Sequence, residues 1–252
     1  MPQWRRVEGE PGGKTMNVSR EREKELLAEL RSHPSVVIVA IDGPGASGKS
    51  STARALAELL GFLYVDTGAM YRTLAWHCLG EGVDMDSARS VSAACRRWKT
   101  SLVAVEGEVR LLVGGKYPGT AIRTPAVAEA ASKVAVIPAV RKWMKATQRE
   151  CGKFGSVVME GRDIGTNVFP ETDFKFFLDA SPEERAKRRA AQGVKENLAE
   201  RDRRDSQRRA APLMIPLGAA LIDNSGKTVE ATAREIAGIV GERLRSGAGR
   251  RN

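Results

Sequence analysis

The chain has 252 residues, 42% of them hydrophobic, with 41 Lys plus Arg against 31 Asp plus Glu and a formal charge of +10. That composition excludes a disordered chain, and the purest apolar run, residues 36–41, is far shorter than the ~20 residues a membrane span needs. Three widely spaced cysteines, Cys78, Cys95 and Cys151, form no CxxC pair, which argues against a disulfide framework and a zinc site; a reducing, cytoplasmic setting is expected, and the charge favours partners that carry phosphate.

Residues 1–35 read as an N-terminal extension, with a Gly/Pro-containing lead at 9–13 and a charged, helix-prone run at 20–30. No apolar segment follows the charged N-terminus, so no secretory signal is expected. Residues 36–41 are a β-branched run between Pro34 and Gly43, as expected of a strand buried on both faces. Residues 49–60 carry apolar positions at helical spacing and stop at Gly61, a natural C-cap. A second short strand covers 62–65, and Asp66 and Thr67 can cap a helix running toward Gly80. Residues 102–105 and 109–113, joined across Glu106 and Gly107, read as an antiparallel hairpin. Helices follow at 125–133 and 138–151, then apolar strands at 157–159 and 174–178. Ser181, Pro182 and Glu184 supply an N-cap, an N1 proline and a capping-box acid for the next helix. A strand at 220–222 and a helix at 229–244 end the pattern, which implies a parallel sheet covered on both sides and interrupted by an inserted subdomain at about 80–150.

The charge is uneven: residues 141–153 and 183–209 together contribute eight of the ten net charges. If 196–209 is helical, Arg201, Arg204, Asp205 and Arg208 share one face, a repulsive arrangement unless an anion receives it.

Residues 43–50 read GPGASGKS and satisfy two motifs at once. As GxGxxG they would admit a pyrophosphate, with Asp66 placed to hold a ribose. As GxxxxGKS they form a phosphate-binding loop whose amides hold the α/β-phosphates, while Lys49 reaches the β/γ-phosphates and the Ser50 hydroxyl meets Mg²⁺. Lys49 decides for the second, because only that motif gives it a task. No NKxD guanine-reading motif occurs, and a protein-kinase reading fails because Arg162 and Asp163 lack a preceding His. A second polar constellation, DTGAMYR (66–72), EGRDIGT (160–166) and the arginine helix, follows strand ends and implies a second anion beside the first. If that anion is a nucleoside monophosphate, its own phosphate oxygen is the nucleophile and no catalytic histidine is required, in keeping with a chain that holds only His33 and His77.

At these motifs, together with IRTPAVAEAASKVA (122–135), EGRDIGTNVFP (160–170), FFLDASPEERAKRR (176–189) and RDRRDSQR (201–208), the sequence resembles bacterial cytidylate kinase over about residues 36–244. The resemblance implies a three-layer α/β P-loop kinase fold with a central parallel five-stranded sheet, an inserted NMP-binding subdomain and a short helical lid at about 184–208, within a domain at 36–245 followed by a tail at 246–252. It implies transfer of the ATP γ-phosphate to CMP or dCMP with Mg²⁺, by a monomer acting on small molecules and not on nucleic acid or membrane. Gly43, Pro44, Gly45, Ala46, Ser47, Gly48, Lys49, Ser50 and Ser51 would bind ATP, with Ser50 at the metal. Thr67, Tyr71, Arg72 and Arg123 would surround the acceptor phosphate. Ser132, Arg141 and Asp163 would read cytosine with help from Arg208, and Arg201 and Asp205 would meet the pentose. Lys49, Arg162 and Arg201 would act on the transferring group, with the lid arginines closing over it. The stretch from Arg189 to Arg201 is short for such a lid, Glu160 stands where some relatives would have aspartate, and residues 1–35 have no counterpart in the minimal chain of the family.

Two other functions fit parts of the sequence. A basic nucleic-acid-binding protein that merely carries a P-loop would explain the charge, although 5% aromatic content leaves few stacking platforms. A nicotinamide dehydrogenase would explain GxGxxG alone.

Overall fold

A computed structural model describes residues 20–191, 198–208 and 211–247. Seven strands form one sheet, β1 (Ile38–Asp42), β2 (Leu63–Asp66), β3 (Thr100–Val105), β4 (Glu108–Val113), β5 (Val157–Gly161), β6 (Phe174–Asp179) and β7 (Ala220–Asp223), in the order β3-β4-β2-β5-β1-β6-β7. The five strands from β2 to β7 in that order are mutually parallel, as the alternation of strands and helices predicts. The sheet is wider than the expected five strands because the hairpin β3–β4 joins its edge: β4 lies parallel to β2 at Tyr64↔Glu108, where the Tyr64 amide donates to the Gly107 carbonyl at 2.8 Å.

Nine α-helices are described: α1 (Arg20–Arg31), α2 (Lys49–Leu60), α3 (Thr67–Gly80), α4 (Ala88–Cys95), α5 (Pro125–Val134), α6 (Pro138–Glu150), α7 (Pro182–Ala191), α8 (Leu198–Ser206) and α9 (Val229–Arg245). Strand residues alternate between two cores, which is why the central strands read as unbroken apolar runs. Val39, Ile41 and Val158 enter one core with Leu56 and Leu60 of α2 and Ile236 and Val240 of α9. Ala40, Val157 and Met159 enter the other with Met70 and Leu74 of α3 and Met144 of α6. A third cluster, with Ala75, Val91, Val127, Val134 and Val140, gives α3 to α6 a core of their own.

The helix expected in the N-terminal run belongs to the first core, into which α1 buries Leu26 and Leu30. Gly241 on α9 makes room for it: a Cβ there would stand 1.9 Å from Leu26 Cδ1. At α7, Ser181 Oγ accepts the Glu184 amide at 3.2 Å, one half of the expected capping box, while the Ser181 amide donates to Ser225 Oγ instead. Among the described residues no helix is long and apolar enough to cross a membrane.

Candidate active site

The loop between β1 and α2 is set by close approach. Gly43 has φ 155°, and a Cβ on it would lie 2.1 Å from the Leu178 carbonyl oxygen of β6; Gly48 has φ 94°, and a Cβ there would lie 2.3 Å from Asn224 Nδ2. Two glycines of the motif are therefore demanded by neighbouring chain. α2 begins at Lys49 with no side-chain cap and no acid in its first turn among the described residues, so its positive dipole end is directed at whatever lies in the loop.

Cations hold the backbone carbonyls of this loop. Arg162 Nη1 donates to Gly43 O at 2.7 Å, Lys49 Nζ to Pro44 O at 2.9 Å, Arg185 Nε to Gly45 O at 2.8 Å and Arg188 Nη1 to Ser47 O at 3.0 Å. Asn224, beyond β7, adds Nδ2 to Ser47 O at 2.8 Å. The Gly45 amide donates to Asp202 Oδ1 at 3.1 Å, and Asp202 is ion-paired with Arg185, so α7 and α8 both touch the loop.

Beside the loop, Ser50 Oγ donates to Glu160 Oε1 at 2.7 Å, and Tyr64 Oη approaches the same oxygen at 3.4 Å. Burial, then the neighbouring Asp66 carboxylate, raise the pKa of Glu160 above the usual carboxylate range, opposed by Lys49. Arg54 stacks on the Tyr64 ring at 4.4 Å and pairs with Glu108, which ties β4 to this corner.

The second cluster lies at the carboxyl ends of β2 and β5. Asp66 caps α3 by accepting the Ala69 amide at 2.6 Å and also receives Arg72 Nη2 at 3.0 Å and Arg123 Nη2 at 3.4 Å. A carboxylate so engaged is committed to a helix end and two arginines, not to a ribose. Thr67 Oγ1 donates to the Glu160 carbonyl at 2.7 Å, and Arg72 Nε is buried without a partner. Deeper in, Arg141 Nη2 meets Asp163 Oδ2 at 2.5 Å with both side chains almost fully buried, while Arg141 Nη1 donates to Ala135 O at 3.2 Å. Tyr71 stands close to this pair; burial pushes its phenol up to about 12, with Arg141 opposing. Arg162 Nε holds Asp205 Oδ2 at 2.7 Å, and Asp205 also pairs with Arg208, whose pKa burial pulls down. Arg162 thus bridges the glycine loop and α8.

The profile of the cytidylate kinase family matches residues 39–242. The chain belongs to the cytidylate kinase family. It is 43% identical over 224 residues to the cytidylate kinase of Solibacter usitatus, covering 84% of this chain and 95% of that one. It is 43% identical over 219 residues to that of Pelotomaculum thermopropionicum (82% and 96% covered) and 42% over 219 residues to that of Geobacillus kaustophilus (82% and 98% covered).

Most residues expected from the family resemblance are gathered around the loop: Thr67, Tyr71, Arg72, Arg123, Arg141, Asp163, Asp205 and Arg208 line the second cluster, with Arg162 between the two halves. Ser132 lies on α5, its hydroxyl donating to Ala128 O at 3.2 Å. The side chain of Arg201, and residues 1–19, 192–197, 209–210 and 248–252, lie outside the described residues. The family motifs left Asp42, Asn224 and Asp202 unassigned. An acid ending a fully apolar strand was the available signal for Asp42; no signal marks Asn224, whose Nδ2 reaches Ser47 O, 177 residues away.

Proposed function

We propose that this member of the cytidylate kinase family transfers the γ-phosphoryl group of ATP to CMP or dCMP, giving ADP and CDP or dCDP. The observation that carries the reading is Arg162, which bonds both the glycine loop and Asp205 and so holds a triphosphate site and a monophosphate site in one frame. Residues 43–51 bind ATP through loop amides, with Lys49 at the β/γ-phosphates. Thr67, Tyr71, Arg72 and Arg123 receive the acceptor phosphate, and the buried, unpartnered Arg72 Nε is a donor suited to an anion. Arg141, oriented by Asp163, reads the cytosine edge with Ser132, while Arg208 assists and Arg201 and Asp205 meet the pentose.

An oxygen of the CMP phosphate attacks Pγ, the bond to the β–γ bridging oxygen breaks, and ADP leaves. Because the nucleophile is already ionised, the protein aligns the two oxygens and neutralises charge with Lys49, Arg162, Arg201 and the lid arginines Arg185 and Arg188. Closure of α7 and α8 keeps water from the phosphoryl group. Among the described residues there is no cluster of three or more His, Cys, Asp or Glu that could hold a metal ion. The neighbouring Ser50 and Glu160 oxygens nevertheless fit an ATP-borne Mg²⁺, which binds through one or two carboxylates and the substrate phosphates while keeping several waters. Ser50, with Glu160 beside it, would hold such an ion, which would supply charge neutralisation at the phosphates. The enzyme is expected to act as a cytoplasmic monomer.

The nucleic-acid and dehydrogenase readings find no support in the comparisons. An ADP-release assay across CMP, dCMP, UMP, AMP and GMP tests the proposal; rates no higher with the cytidine nucleotides than with AMP would sink it.

A further inference from the structure

The turn that carries Asp163 is capped by a residue more than a hundred positions away. Residues Ile164–Val168 form a π-helical turn whose capping position is Asp163, yet the Asp163 side chain does not cap it. Its Oδ2 is turned to Arg141 Nη2 at 2.5 Å and Asn167 Nδ2 at 2.9 Å. The first two amides of the turn, which helical geometry leaves without backbone partners, donate instead to Asp42: Ile164 N to Oδ1 at 2.8 Å and Gly165 N to Oδ2 at 2.7 Å. Asp42 is fully buried at the end of β1, directly before Gly43, whose carbonyl receives Arg162. Three hydrogen bonds therefore clamp residues 42–43 of the ATP loop onto residues 162–165 of the acceptor turn.

We infer that Asp42 is a positioning residue for base recognition: by capping the turn in place of Asp163, it leaves the Asp163 carboxylate free to hold Arg141 against the pyrimidine. The inference rests on the CMP-kinase reading above. Were Asp163 to cap its own turn, as an aspartate at that position ordinarily does, its carboxylate would swing away from Arg141. The two roles are divided between two acids, and the remote one is placed by the pairing of β1 with β5, where Asp42 stands opposite Gly161.

Asp42→Asn tests this at nearly constant volume, since the amide oxygen can accept one of the two N–H groups while its NH₂ faces the other. The expected result is a rise in KM for CMP of about tenfold and a smaller CMP-over-UMP preference in kcat/KM, with KM for ATP changed by less than about threefold. Peptides spanning residues 164–165 should also take up deuterium faster in the variant. Ile236→Ala, in the α9 core, is the control for general loosening and should lower Tm while leaving the CMP-over-UMP preference alone. Equal rises in both KM values, an unchanged CMP KM, a control that loses preference to the same extent, or unchanged exchange at 164–165 would each overturn the inference. Absence of CMP turnover in the unmodified enzyme would instead remove the underlying functional reading, and the exchange result would still decide whether Asp42 caps the turn.

Discussion

Arg141 and Asp163 form an ion pair at 2.5 Å whose side chains are 7% and 10% exposed. A pair so buried is costly to break from one side, because the remaining charge is stranded; one-sided loss costs about 3–5 kcal/mol. Arg141→Ala and Asp163→Ala should each destabilise by roughly that amount, and the double variant by clearly less than their sum. Urea unfolding of the four proteins provides the cycle, and strict additivity would refute the coupling. In kinetics, Arg141→Ala should weaken discrimination for cytosine more than ATP binding, and equal losses for every acceptor would count against its base-reading role.

Lys49 lies inside its own loop, 6% exposed and bonded to Pro44 O. Removing a charge aimed at a transferring phosphoryl group costs about 10²–10³-fold or more in rate. Lys49→Ala should lose at least that much kcat while its far-ultraviolet circular dichroism stays unchanged. An active variant would refute the loop assignment.

Ser50 and Glu160 share one hydrogen bond beside the loop. If they serve an ATP-borne Mg²⁺, Ser50→Ala and Glu160→Gln should each raise the Mg²⁺ concentration for half-maximal rate by about 10-fold or more, by analogy with lost metal-shell contacts. Chelation with EDTA should abolish turnover reversibly. An unchanged Mg²⁺ requirement in both variants would place the ion elsewhere.

Burial raises the Asp42 carboxyl from 3.8 to about 7; two backbone hydrogen bonds and Lys49 pull it down, while Asp163 pushes it up. Unfolded, the group loses its proton near its ordinary value; folded, it holds that proton until about 7. The native state thus binds more protons across this interval, so the contribution of Asp42 to stability is greatest at acid pH and falls as pH rises from about 4 to 7, by about 4 kcal/mol. The difference in urea midpoint between the unmodified protein and Asp42→Asn should shift in that direction across the same interval. A difference flat with pH would mean that the carboxyl titrates normally.

Gly241 and Leu26 make a sharper test of α1. Gly241→Ala gains about 1 kcal/mol of helix propensity in α9 but drives a methyl into Leu26, an overpacking that costs about 1–3 kcal/mol. The substitution should therefore be destabilising in the full-length chain and stabilising when Leu26 is also Ala. The same sign in both backgrounds would show that α1 does not pack there.

What could be read from the sequence was what local chemistry determines. β1, the glycine loop and α2 announce themselves because apolar strand, obligatory glycines and amphipathic helix are contiguous. The hairpin was legible, but not its attachment to the sheet edge, since a single Tyr64↔Glu108 bridge leaves no periodic trace. α4 escaped notice because ARSVSAAC is short and its serines favour turns as readily as helix. In α7 the charge run was visible but its targets were not: Arg185 and Arg188 are specified by the loop carbonyls that the fold brings beneath them. Asp42 shows the same limit, because a cap supplied from another strand obeys no local spacing rule.

Each trans peptide unit points its oxygen and its amide hydrogen in opposite senses. With Arg185 fixed on Gly45 O and Arg188 on Ser47 O, the amides of Ala46 and Gly48 are turned away from those two arginines. The arginines therefore choose the orientation of two dipoles that they do not themselves present to ATP. Much of the loop's conformational freedom is given up when the chain folds, so on the proposed reading an arriving nucleotide would meet amides whose orientation is already set.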